Sequence, residues 1–111
     1  MGKKELVKWH REHFFVREKK DNPKDEHPAF VFEQSSRYYK VIVITAHPTT
    51  HGKDNVELKH NIDPKRSDKS YAVPYRGPRR KSDFYPKKLK CYRIHKDDEV
   101  IIKQLKNRKK K

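Results

Sequence analysis

One cysteine, Cys91, stands in the whole chain of 111 residues, which excludes an intrachain disulfide and any cysteine-rich zinc site. In "KLKCYRIH" it reads as a small buried thiol rather than a nucleophile. Apolar residues are also scarce, at 32% against 41% charged, so the core must be small. No apolar stretch is long enough to span a membrane, and no clean amphipathic anchor is present. The stretch "MGKKELVKWHREHFF" is too charged, and its apolar part too short, for a secretory signal. A cytoplasmic protein with no membrane partner is expected. Internal repeats are absent. Acidic side chains are outnumbered: fifteen Asp and Glu face thirty Lys and Arg, a formal net charge of +15 carried along the whole chain. Such a field attracts polyanions, of which nucleic acid is the common cellular one, with binding driven largely by counterion release.

The apolar residues that are present fall in blocks at 29–33, 38–46, 71–75 and 89–94. This clustering predicts a compact centre with charged ends within a single domain, 1–111. The parts are a basic N-terminal segment at 1–25, a β-rich centre at 26–96, a helix at 97–106 and a frayed basic tail at 107–111. Residues 6–16 partly fit a helical stripe, while "HFFVRE" would equally make a short strand; Trp9 reads as core. "PAFVFEQ" has strand composition, with Ala29, Val31 and Glu33 on one face and Phe30 and Phe32 on the other. The polar link "QSSR" then predicts a hairpin into "YYKVIVITA", which is apolar on both faces like a central strand. "NVELKHNI" is a third candidate strand, and "DPKRSDK" a turn-rich loop. With Pro74 and Pro78 nearby, any strand at 70–73 should be short and at an edge. "KLKCYRIH" alternates well enough for another strand. Asp97 reads as the N-cap of the closing helix, and Val100, Ile101, Ile102 and Leu105 as its docking stripe. The predicted class is mainly β with a C-terminal helix: a small twisted barrel closed by that helix.

"VIVITAHPTTHGKDN" changes character in the middle, from β-branched aliphatics to Thr45, His47, Thr49, Thr50 and His51. His47 and His51 have the spacing of two zinc ligands on a helical turn, but Pro48 and Gly52 oppose a helix there. No metal ligand set and no cofactor are therefore read from it. The chemistry of metal-free RNA cleavage fits better. Imidazoles titrate near neutral pH and can carry either proton step, while hydroxyls and arginine forks can hold phosphoryl oxygens. The competing reading is a polar turn whose hydroxyls cap backbone groups.

"HPAFVFE", the hairpin, "YYKVIVITAH" and a glycine-containing loop together resemble the PemK/MazF-like toxin family, over roughly residues 25–60. The resemblance implies a small SH3-like barrel with a metal-independent, sequence-selective endoribonuclease activity, dimeric and held inactive by an antitoxin protein. Pro28, Ala29, Phe30 and Val31 match the family's first strand, and Thr45 the threonine ending its second. His27 stands where the family usually has a catalytic arginine, so His27 and His47 would have to share the acid and base work. The family's usual opening, a glycine and an aspartate before an apolar strand, is not evident in residues 1–20. On this reading His27, Thr45 and His47 are catalytic.

The nucleic-acid surface would comprise Thr49, Thr50, His51, Tyr75, Arg76, Arg79, Arg80, Lys81, Lys87 and Lys88. In "YRGPRRKSDFYPKK" aromatic rings could stack bases while cations follow phosphates, or the rings could complete a thin core. The alternative function is a non-catalytic basic barrel that binds RNA or DNA.

Overall fold

The computed structural model describes residues 13–106, so Trp9, the rest of 1–12 and the tail at 107–111 lie outside the described residues. Eight short strands and one helix follow in order: β1 (Phe14–Arg17), β2 (Pro28–Gln34), β3 (Tyr38–Thr45), β4 (Thr49–Thr50), β5 (Lys53–Asp54), β6 (Val56–Glu57), β7 (Tyr71–Ala72), β8 (Arg79–Arg80) and α1 (Glu99–Lys106). Among the described residues, no helix is long and apolar enough to cross a membrane.

β2 and β3 form the expected antiparallel hairpin, with Ala29 opposite Val43, Phe30 opposite Ile42 and Val31 opposite Val41. Pro28 is tolerated because it is the first residue of its strand, where no ladder donor is needed. A register shift between Val31 and Glu33 marks an irregularity at Phe32. Four β-branched residues, Val41 to Ile44, make β3 stiff and suited to a pleated surface buried on both sides. It occupies the middle of a six-stranded sheet of order β1-β2-β3-β7-β6, with β8 paired to its first residues.

Alternation assigns the side chains to two cores. Phe15, Phe30, Phe32, Ile42 and Ile44 face the larger one, which Ile102 and Leu105 of α1 cover. Val16, Ala29, Val31 and Val41 face a smaller one, roofed by Phe84. Each fully buried aliphatic or aromatic side chain here contributes about 1.5–3 kcal/mol.

Several expectations need correction. Among the described residues the sheet is open: its hydrogen-bonded path does not return from β6 to β1. "KLKCYRIH" forms no extended strand, only an isolated bridge from Leu89 to Phe15, and Cys91 is exposed rather than buried. β7 is short as predicted but lies between β3 and β6, not at an edge, because Pro74 follows the paired residues instead of falling among them. Residues 14–17, within the segment set apart from the β-rich centre, form a sheet strand paired with β2, the strand alternative for "HFFVRE".

The helix also begins differently. A 3-10 turn at Lys96–Asp98 precedes α1, and the His95 ring, not Asp97, caps it by accepting the Asp97 N–H. Asp97 is instead turned to His60, whose hydrogen bond holds the Asp97 carboxyl below the ordinary carboxylate range. Asp98 is buried and accepts from the N–H groups of Lys59 and His60, tying the helix to the chain after β6. Val100 is exposed, since two residues before Ile102 puts it about 200° around the helix from the buried face.

Candidate functional site

The site residues gather where β3 ends. The antiparallel β2–β3 pairing, with Ala29 opposite Val43, brings His27, just before β2, towards the end of β3. There a cleft of about 510 Å³ opens over the Val41 and Val43 side of the sheet. His27, Thr45, His47, Thr49, Thr50 and His51 all line it, together with Arg76 and Arg79. All three residues assigned to catalysis from sequence therefore face one space.

Local chemistry explains how the polar rim is held. The buried Thr45 Oγ1 accepts the His47 N–H at 3.2 Å, a hydroxyl turn that carries the chain off the stiff strand. β4 and β5 then form a small hairpin, with Thr49 opposite Asp54 and Thr50 opposite Lys53. Its two central residues, His51 at φ 52° and Gly52 at φ 75°, are both left-handed, the geometry of a type I′ turn. Asn55 braces the hairpin, its Nδ2 donating to the His47 carbonyl at 3.0 Å and to Thr50 Oγ1 at 2.8 Å. The polar-turn reading is thus partly realised: these hydroxyls do satisfy local donors, and they do so at the mouth of a cleft.

The turn makes a testable demand. A Cβ on Gly52 would meet no atom within 4 Å, so alanine there incurs only backbone strain. Gly52→Ala is expected to lower stability by about 1–2 kcal/mol, read from urea unfolding. An unchanged midpoint would contradict the I′ geometry.

A residue not identified from sequence sits deeper in the cleft. Glu18 is 4% exposed and accepts a hydrogen bond of 2.8 Å from Arg79 Nη1. Its other oxygen lies 3.6 Å from His27 Nδ1, and its N–H donates to the His27 carbonyl. A buried carboxylate needs such a partner, because desolvation without one costs several kcal/mol. Arg79 is held in turn by lying 4.9 Å over the Phe84 ring and 3.9 Å from Asp83. The signal for Glu18 was present in "FFVRE": period-two alternation places Glu18 on the same face as the buried Val16. Its arginine partner, 61 positions away, carried no such local signal.

A tie on the outer side fixes the loop that delivers His27. Tyr85 Oη donates to Glu26 Oε2 at 2.6 Å, and Arg17 Nη1 donates to the Glu26 carbonyl at 2.9 Å. The Tyr85 hydroxyl holds the Glu26 carboxyl below its usual range, and the same bond raises the Tyr85 hydroxyl.

The remaining predicted contacts divide. Tyr75 is 5% exposed and edge-on to Phe32 at 5.4 Å, so it is a core ring and cannot stack a base. Burial pushes its hydroxyl above the ordinary phenol range. Arg80 points away from Arg79, as alternation along β8 requires, and is exposed. Lys81 covers the Tyr39 ring at 5.2 Å. Lys87 and Lys88 do not line the cleft; Lys88 lies over Phe14 at 4.5 Å, beside a second cavity. His47 and His51 are not brought together with an acidic ligand as a metal group. Comparison of the chain with protein-family models, with curated proteins and with solved structures finds no match.

Proposed function

We propose that this protein is an RNA-binding, metal-independent endoribonuclease, with the open cleft as its active site. The observation that carries the reading is the convergence of His27, Thr45 and His47 on one cleft together with Arg76 and Arg79. Cleavage of RNA by its own 2′-hydroxyl needs a base to take that proton, an acid to protonate the departing 5′-oxygen, and donors for the phosphoryl oxygens. His47 and His27 divide the two proton transfers. The Thr45 hydroxyl accepts the His47 N–H, which leaves its own hydrogen to donate to a phosphoryl oxygen. Arg76 faces the same oxygens, and Glu18 positions His27 and Arg79 without touching substrate. Arg80 and the neighbouring lysines supply nonspecific affinity through the +15 field. The likeness to PemK/MazF-like toxins, including an SH3-like architecture left open among the described strands, a homodimer and an antitoxin partner, belongs to this proposal. A toxin-antitoxin or mobile-element system is the setting it implies.

The deciding experiment incubates the full chain with single-stranded RNA in excess EDTA. Fragments ending in a 2′,3′-cyclic phosphate, formed with a bell-shaped dependence on pH, are expected. RNA binding that weakens steeply with salt, with no fragments from any RNA, would instead support a basic module that only binds.

A further inference from the structure

On the side of the molecule where α1 begins, three residues that the proposed reaction leaves unused come together. His60 follows β6, whereas His95 caps the 3-10 turn before α1 and Asp97 lies within it. His60 Nε2 lies 3.0 Å from Asp97 Oδ2, and His95 Nδ1 lies 3.5 Å from the same oxygen. The two imidazoles stack with centroids 3.7 Å apart. All three ligand atoms fall within 4.8 Å of one another, and all three residues are exposed.

We propose that His60, His95 and Asp97 bind a borderline transition-metal ion such as Zn²⁺, a role that sequence spacing did not suggest. Tetrahedral zinc holds imidazole nitrogen and carboxylate oxygen at about 2.0–2.2 Å, which separates neighbouring ligand atoms by ~3.3 Å. The two separations from Asp97 Oδ2, 3.0 and 3.5 Å, bracket that value, and all three ligand atoms lie within 4.8 Å of one another. Two imidazoles and a carboxylate suit zinc, and three protein ligands leave the fourth position to water or an outside group. The ion replaces the proton shared by His60 and Asp97, and it exchanges the His95 bond to the Asp97 N–H for a coordinate bond. The frame beneath is already built: the buried Asp98 takes the Lys59 and His60 N–H groups at 2.8 and 3.0 Å, fixing the backbone of His60 beside the turn. Stacked rings must rotate for both lone pairs to meet one ion, and exposure on the surface permits that. A bound ion would clasp the chain after β6 to the start of α1. This inference does not depend on the proposed nuclease activity.

The test uses the full chain without a polyhistidine tag and ZnCl₂ as the probe, followed by calorimetric titration. One ion per chain is expected. His60→Ala, and separately the near-isosteric Asp97→Asn, should weaken binding by at least the ~10–100-fold seen when even an outer partner of a metal site is lost. Substoichiometric Co²⁺ should broaden the ring-proton signals of His60 and His95 before those of the other histidines. Unchanged affinity in a folded Asp97→Asn protein, broadening centred on His47 and His51, or no zinc uptake would each overturn the site. The trio would then be a hydrogen-bonded surface cluster only.

Discussion

His47→Ala is expected to lower the rate of RNA cleavage by about 10²–10⁴-fold, the usual contribution of one positioned acid or base. RNA affinity at low salt should stay within about a factor of three, because fixed cations across the surface supply most of the binding. The backbone at this position is held independently of the ring. Thr45 Oγ1 accepts the N–H and Asn55 binds the carbonyl, so truncating the side chain leaves the turn in place. His27→Ala should have an effect of similar size, and each variant should lose one limb of the pH–rate profile. Single-turnover rates across pH would measure this. Full activity in either variant would remove that histidine from the mechanism, and full activity in both would move the chemistry out of the cleft.

Arg79→Ala is expected to destabilise the fold by about 2–4 kcal/mol, somewhat below the range for breaking a fully buried pair. The discount follows from the 31% exposure of the Arg79 side chain, against 5% for Glu18. Removing the guanidinium leaves the buried Glu18 carboxylate without its 2.8 Å partner, with the His27 imidazole 3.6 Å from its other oxygen. It also uncovers the Phe84 ring. The double replacement Glu18→Leu with Arg79→Met should recover much of the loss, since it leaves no charge unpaired. Chemical denaturation of the two variants beside the unaltered protein tests both points. A loss under ~0.5 kcal/mol in Arg79→Ala would mean that water, not Arg79, solvates Glu18.

Arg79 was assigned from sequence to phosphate contact, but its nearest partner is an internal carboxylate. Its substitution should therefore damage stability at least as much as RNA affinity. Arg80, exposed on the next position, has no such constraint and remains the better residue for a pure affinity change.

What could be read in the chain was local. The run Val41 to Ile44, the alternation in "PAFVFEQ" and the short polar link determine the central hairpin, because branched side chains and period-two patterning act within a few residues. From that hairpin alone it follows that His27 meets the end of β3, which is why the catalytic assignments converge on one cleft. The C-terminal helix was legible for the same reason, whereas Gly52 was read only as opposing a helix and its left-handed turn with His51 emerged from the structure. Beyond the short strand read at 70–73, tertiary structure decided what residues 64–95 carry, because Pro74, Pro78 and Pro86 break periodicity there. The path of the chain there brought Arg79 to Glu18, roofed the second core with Phe84, turned Tyr75 inward and left Cys91 exposed. His60, His95 and Asp97 met for a related reason: the buried Asp98 bonds across 38 and 39 positions, a long-range contact that no local pattern encodes.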